Sequence, residues 1–344
     1  MARIYENAPL KKRHTFGVDA VARRLIEFRS IDDLRQLHAA GELIGAIAIG
    51  GGSNMLFTQK TVEPTLIHCG MKEVTVGPKD PDGKVSVRAE AGAVLDEVVA
   101  MSVERGLWGL ENLSLIPGET GGAAVQTVGA YGTEAADTIS RVEAFDMSTG
   151  EIRTFSPGEL EYGYRHSVFK QPDTAGRYIV TAVTFTLCAN GEPSTSYTAL
   201  KRELEAMRGT PTPADVRRAV IAMRQAKLPD PAVTGSAGSF FKNPVTDATT
   251  ARNIAATEGI DMADAPFHTL PDGNVKLSAA WLIDRAGGKN LACGGASVWP
   301  RQPLVIINTR GTATGADITG LEQLIIRAVR DRFGITLTPE VMHI

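Results

Sequence analysis

Apolar and polar positions alternate with two periods along this chain, and the mixture predicts interleaved strands and helices. Residues 44–49 form an apolar run that breaks into GGGSN at 50–54, as expected for a buried strand entering a glycine-rich loop. The alternation of VSVRAEAG (85–92) predicts a strand, and the helical spacing of 94–106 predicts a helix stopped by Gly106. Residues 141–155 read as a hairpin turning at 148–150, and the β-branched run 178–187 reads as a further strand. Residues 191–207 lead into a helix. A second helix starts at Thr212 as N-cap, with Pro213 at its first position and Asp215 in its first turn, until the prolines of KLPDPAV break it. Beyond that break the pattern predicts helices over 277–287 and 316–334, a strand over 303–308 and a closing strand over 335–341.

Composition changes this picture little, with one exception. The 344 residues are 43% hydrophobic and 22% charged, enough apolar surface for full-sized cores without staples. The formal charge of −3 supplies no global positive field for nucleic acid, so any anionic ligand must be met by local groups. Cys69, Cys188 and Cys293 are odd in number and lack metal-site spacing. They are expected to be buried thiols in a reducing cytoplasm, with no disulfide and no metal site. No apolar run approaches the ~18 residues that span a bilayer, and the N-terminal segment lacks a signal peptide's apolar core; the expected location is cytoplasmic, with no membrane partner. The exception is glycine, at 35 residues, which points to tight turns and close backbone approaches.

The glycines do not fall into the common nucleotide patterns. Neither G-x-G-x-x-G nor G-x-x-x-x-G-K-[ST] occurs. Residues 109–134 instead hold Gly118, Gly121, Gly122, Gly129 and Gly132 with Pro117, Gln126 and Tyr131, almost without charge. Such a segment offers bare amide donors to a large ligand, for which a diphosphate or a flavin ring is suited.

IAIGGGSN, the IPG-x-x-GG-x-x-x-Q-x-x-GAYG segment, YGYRHSVFK (162–170), GSAGSFFKNP (235–244), GGASVWPRQPLVIIN (294–308) and LTPEV (337–341) occur in one order over residues 15–341. In this the chain resembles the UDP-N-acetylenolpyruvoylglucosamine reductases of type I. The resemblance implies an α+β protein with a two-subdomain FAD-binding fold of the vanillyl-alcohol-oxidase type and a C-terminal α+β substrate domain. It divides the chain at 1–72, 73–212 and 213–334, with 335–344 returning near the site. The implied reaction is NADPH-dependent reduction of an enolpyruvyl ether on a UDP-sugar, through non-covalent FAD, in peptidoglycan precursor synthesis. A monomer acting on small molecules is expected, without nucleic-acid partners.

Residue by residue, the resemblance assigns FAD binding to Gly50, Gly51, Gly52, Ser53, Asn54, Ile116, Pro117, Gly118, Gly121, Gly122, Gln126, Gly129, Tyr131 and Gly132. It assigns UDP-substrate binding to Tyr197, Arg224, Lys227 and Asn243. Arg165 matches the arginine at the enolpyruvyl carboxylate, where a permanently charged fork suits two oxygens. Ser239 matches the proton donor to C2, and Glu340 the glutamate assisting at the carboxylate end. Ala124 and Thr127 stand where the family often has proline and asparagine, and Met342 stands where a basic residue is common; His343 is placed to supply that charge. Another FAD oxidoreductase of the same fold would explain the glycines but not the pairing of GSAGSFFKNP with Glu340. A non-catalytic flavin or nucleotide-sugar sensor would have no use for the three catalytic matches together.

Overall fold

The computed structural model describes residues 1–207 and 209–344. Contacts divide the chain into two units: residues 1–8, 22–52 and 63–226, and residues 9–21, 53–62 and 227–344.

In the first unit, an antiparallel sheet runs in the order Glu151–Phe155, Ile139–Asp146, Tyr178–Cys188, Lys84–Glu90 and Val74–Lys79. Its long central strand is buried along most of its length, which explains the continuous β-branched run in place of alternation. Leu25–Phe28 pair in parallel with Leu66–Cys69, which pairs in turn with Ile47–Ile49. The helix Leu95–Glu104 buries Leu95, Val98, Val99 and Val103, and Gly106 at φ +69 lies just beyond its end. Phe28, Val87, Val99, Leu113, Phe145 and Phe185 belong to one core. The helix Pro213–Lys227 starts on the predicted capping pair, with Thr212 and Asp215 hydrogen-bonded to each other's amides.

In the second unit, Gly235–Ser239, Val305–Asn308, Ala296–Val298 and Ala292–Cys293 form an antiparallel sheet in that order. The helix Gly315–Phe333 opens on a capping box between Thr314 and Asp317 and ends at Gly334 in the left-handed region. Its Ile318, Leu321, Ile325 and Val329 share a core with Phe16, Phe240, Phe241, Leu282 and Ile306.

Several expectations need correction. The strand expected over 44–49 begins at Ile47, and Ile44 is 87% exposed, because residues 41–45 form a turn with Gly41 and Gly45 at positive φ. The closing strand expected over 335–341 is absent. Pro339, which has no N–H to give a ladder, makes only an isolated bridge with Phe241, and the terminal strand is Met342–His343, parallel to Met55–Leu56. Residues 120–126 within the glycine-dense segment form a helix, Thr120–Gln126. Cys69 is buried and its thiol pushed up to about 12 by desolvation, whereas Cys188 and Cys293 are only partly buried. Among the described residues no helix is long and apolar enough to cross a membrane.

The hairpin supplies a stability test. Buried Asp146 accepts from Arg177 Nε and Nη2 at 3.0 and 2.6 Å and from the Ser148 amide and hydroxyl; the guanidinium first, then the serine, hold its carboxyl far below the usual range. Because the folded pKa is depressed, this stabilisation is fully present above the ordinary carboxylate pKa near 4 and is lost progressively as pH falls from there through the much lower folded pKa. Arg177 is 40% exposed, so solvent screens the pair and reduces what it contributes. Asp146→Asn is expected to lower the urea midpoint at pH 7 and to lower it by less at pH 3, where the unfolded carboxyl has taken up its proton and the folded one has not. An equal loss at both pH values would refute the ionic account.

Candidate active site

In the first unit, the loop Gly50–Gly52 lies against residues 118–119. A Cβ on Gly51 would meet Gly118 Cα at 3.4 Å and Glu119 Cγ at 3.5 Å, so these segments approach through bare backbone. Gly118 has φ +121, a conformation closed to other residues, and a Cβ on Gly122 would meet nothing within 4 Å. Beneath this cradle, His68 Nε2 lies 2.9 and 3.1 Å from the two Glu119 oxygens, with both side chains mostly buried.

The remaining glycines have other uses. Gly121 gives its N–H to Ala91 O at 2.9 Å, and a Cβ there would strike Ala91 at 2.7 Å, so it serves helix-to-strand packing. Gly129 pairs with Glu134 in a hairpin, where a Cβ would crowd the Glu134 side chain. Gly132 accepts the Ser196 hydroxyl at 3.1 Å, and a Cβ on it would collide with Ser196 Oγ. Thus 129–132 form a seat for the segment carrying Tyr197, whose ring meets Tyr131 edge-on at 5.2 Å. Asn112 Nδ2 closes the seat by donating to Tyr131 O and Ser194 O.

Arg165 sits in a tight turn between Gly163 and His166, at φ +56, with its guanidinium 5.4 Å from the Tyr164 ring centre. A left-handed arginine is a conformation retained at few places, and functional sites are among them. The turn is moored to the helix Thr120–Gln126 by Ser167 Oγ on Val125 O at 2.9 Å and by Lys170 Nζ on Gln126 Oε1 at 3.0 Å. Gln126 is thereby engaged by a lysine. Thr127 caps this helix at φ 52, ψ 54, a left-handed position that favours asparagine over a β-branched residue. Arg224 is mostly buried, and desolvation lowers its pKa against the pull of Tyr131 and Asp96.

In the second unit, a bulge interrupts the pairing of Gly235–Ser239 with Val305–Asn308, with Gly238 at φ +69. Ser236 is buried, whereas Ser239, beyond the bulge, is exposed. Adjacent to it, Phe240 O accepts the Glu340 N–H at 2.8 Å and Lys242 donates to Thr338 O, so the serine and the glutamate lie on joined segments. Asn54 fastens the same segment: its Nδ2 reaches Glu340 O at 3.2 Å and its carbonyl accepts from the Met342 N–H. Asn54 therefore orients the glutamate's backbone, a role its place in the glycine loop did not suggest. His343 Nε2 is 3.0 Å from Glu322 Oε2, so the imidazole faces a buried glutamate. Asn243 Oδ1 accepts the Ala279 N–H at 3.0 Å. Lys227 is exposed, and its carbonyl holds Trp299 Nε1 at 2.9 Å.

The predicted residues thus form two groups. Gly50–Gly52, residues 116–132, Arg165, Tyr197 and Arg224 belong to the first unit; Ser53, Asn54, Lys227, Ser239, Asn243 and Glu340 belong to the second. Sequence reading missed His68, Glu119, Asp96 and Arg217, whose partners are remote in the chain. No group of three His, Cys, Asp or Glu among the described residues could hold a metal.

The FAD binding domain family matches residues 23–156, the span that holds the glycine cradle of the first unit, and this defines the class as an FAD-binding protein. The UDP-N-acetylenolpyruvoylglucosamine reductase C-terminal domain family matches residues 230–344. The chain is 41% identical over 336 residues to the UDP-N-acetylenolpyruvoylglucosamine reductase of Bacteroides fragilis strain YCH46, covering 97% of this chain and 98% of that one. It is 40% identical to that of Pseudomonas aeruginosa PAO1, covering 98% of each chain. The reductase structure from Thermus caldophilus matches the whole chain and 98% of its own length, with a TM-score of 0.67 and 24% identity. The chain belongs to the UDP-N-acetylenolpyruvoylglucosamine reductase family. It is an FAD-dependent oxidoreductase of α+β fold.

Proposed function

We propose that this protein reduces UDP-N-acetylglucosamine enolpyruvate to UDP-N-acetylmuramate with NADPH as the reductant, as a monomer in the cytoplasm. The observation that carries this reading is the exposed Ser239 on a bulged strand joined to the segment of Glu340, within a chain whose other unit presents a glycine cradle. Gly50–Gly52, Gly118 and Gly122 fit a flavin, because Cβ atoms at Gly50 and Gly51 would fill the cradle and Gly122 leaves it open. Bound there without a covalent link, FAD supplies the hydride that C3 of the enolpyruvyl group receives.

The chain's own residues do the rest. Arg165 holds the substrate carboxylate and opposes the negative charge that grows as C3 is reduced. Ser239 gives its proton to C2, an acceptor basic enough to take it from a hydroxyl, and Glu340 steadies the carboxylate end. Tyr197, Arg224, Lys227 and Asn243 bind the UDP diphosphate and supply the local positive field that the net charge lacks. The division into 1–72, 73–212 and 213–334 follows these tasks. The purified protein is expected to be yellow, to release free FAD on acid precipitation, and to oxidise one NADPH per UDP-N-acetylglucosamine enolpyruvate. Flavin reduction by NADPH without reoxidation by that substrate would refute the reading, and a dimer by light scattering would refute the monomer.

A further inference from the structure

Asp96, in the first turn of the helix Leu95–Glu104, has no part in the chemistry above, yet its carboxylate joins two segments remote in sequence. Oδ1 accepts the Leu115 N–H at 2.6 Å, at a residue held at φ +60 immediately before Ile116, Pro117 and Gly118. A leucine disfavours that conformation and keeps it only where its surroundings over-determine it. Both oxygens also receive a forked pair from Arg217, Nη1 at 2.6 Å and Nη2 at 3.0 Å, on the helix Pro213–Lys227 that carries Arg224. Arg217 and Arg224 stand about two turns apart on one helix face. The side chains of Arg217 and Asp96 are 18% and 26% exposed, sheltered enough for a bidentate pair to hold geometry. Burial raises the Asp96 pKa, but Arg217 and the Leu115 amide outweigh it, so the carboxylate stays charged at neutral pH.

We propose that Asp96, gripped by Arg217, is a positioning residue that keeps the flavin-facing segment 115–118 in register with the helix bearing the diphosphate-binding Arg224. The inference rests on the reading of the site given above. Loss of the Asp96 side chain alters both cofactor and substrate binding, whereas a change at Arg217 alters substrate binding alone.

The test measures two quantities on the holoenzyme: FAD release on dilution, by recovery of flavin fluorescence, and KM for the UDP-sugar. Asp96→Ala is expected to raise both about tenfold, the scale of a lost charge-assisted hydrogen bond. Asp96→Asn keeps an acceptor for Leu115, so FAD release stays within about threefold of the parent while KM rises. Arg217→Gln raises KM only, and Arg217→Lys recovers part of it. The double variant Asp96→Asn/Arg217→Gln should match the worse single variant, since both remove one interaction. The proposal fails if Asp96→Ala leaves either quantity at the parental value, or if the double variant multiplies the single effects. Should Asp96→Ala not fold, Asp96→Asn and Arg217→Gln decide: each must raise KM with FAD release near the parental value, and the proposal fails if either leaves KM unchanged. A parent that binds FAD but does not turn over the UDP-sugar would overturn the functional reading instead, and FAD release would still test Asp96.

Discussion

Ser239→Ala is expected to leave reduction of the bound flavin by NADPH at its normal rate and to lower steady-state turnover by about 10²–10⁴-fold, the usual contribution of a positioned proton donor. The separation of half-reactions follows from where the residue stands. Ser239 is exposed at the end of a strand whose other serine, Ser236, is buried, so removing its hydroxyl leaves no buried group unsatisfied. Substrate protonation is then the step that suffers. Stopped-flow bleaching of the flavin absorbance, followed by reoxidation with the UDP-sugar, separates the two phases. Equal loss in both would show that the serine supports the fold, and normal turnover would remove it from the reaction. Ser236→Ala is the matched control, expected to change stability more than rate.

The largest expected effect on stability comes from Gly235→Ala. Gly235 starts the strand that carries Ser239 and pairs with Asn308. A Cβ at this position would collide with the carbonyl oxygen and carbon of Phe16 and stand 3.3 Å from Asn308 Cβ. None of these can turn aside. Phe16 O is held by Asn308 Nδ2 at 2.9 Å, Asn308 Oδ1 by the Ala313 amide at 2.7 Å, and the Ser236 amide by Thr15 O at 3.0 Å. Overpacking against movable side chains costs about 1–3 kcal/mol, and a collision with fixed backbone should exceed that range. Denaturant unfolding should show the loss, and the variant should also turn over slowly, because the strand must shift where it presents Ser239. Gly238→Ala is the contrast: a Cβ there meets nothing within 4 Å, so only its positive φ counts, about 1 kcal/mol. Equal stability of Gly235→Ala and the parent would refute the close-packing account.

Local elements were legible where their causes are local. The hairpin over 141–155 is set by its turn, and the helix at Pro213 by the Thr212–Asp215 pair and a proline whose missing N–H costs nothing in a first turn. The closing strand failed for the opposite reason. Its pairing partner, Met55–Leu56, lies near the other end of the chain, and no pattern in 335–341 reports which residues would find a ladder there.

The same division runs through the site. Glycine content and motif order marked the segments where backbones come close, since a residue without Cβ is needed wherever backbones nearly touch, and residue type carries that requirement openly. Which glycines are needed for packing is a tertiary matter: a Cβ on Gly121 would strike Ala91 and one on Gly132 would strike Ser196, while one on Gly122 would meet nothing. Two serines of one strand are equal as letters, and only the bulge at Gly238 buries one and exposes the other. Asp96 and Arg217 are 121 residues apart, and His68 and Glu119 are 51 apart; no spacing rule connects them. The sequence by itself determined most of the local elements, the glycine loops and the family, because periodicity, capping and motif order act over a few residues. Only tertiary structure decided which side chains pair, because a hydrogen bond depends on distance in space and is indifferent to distance along the chain.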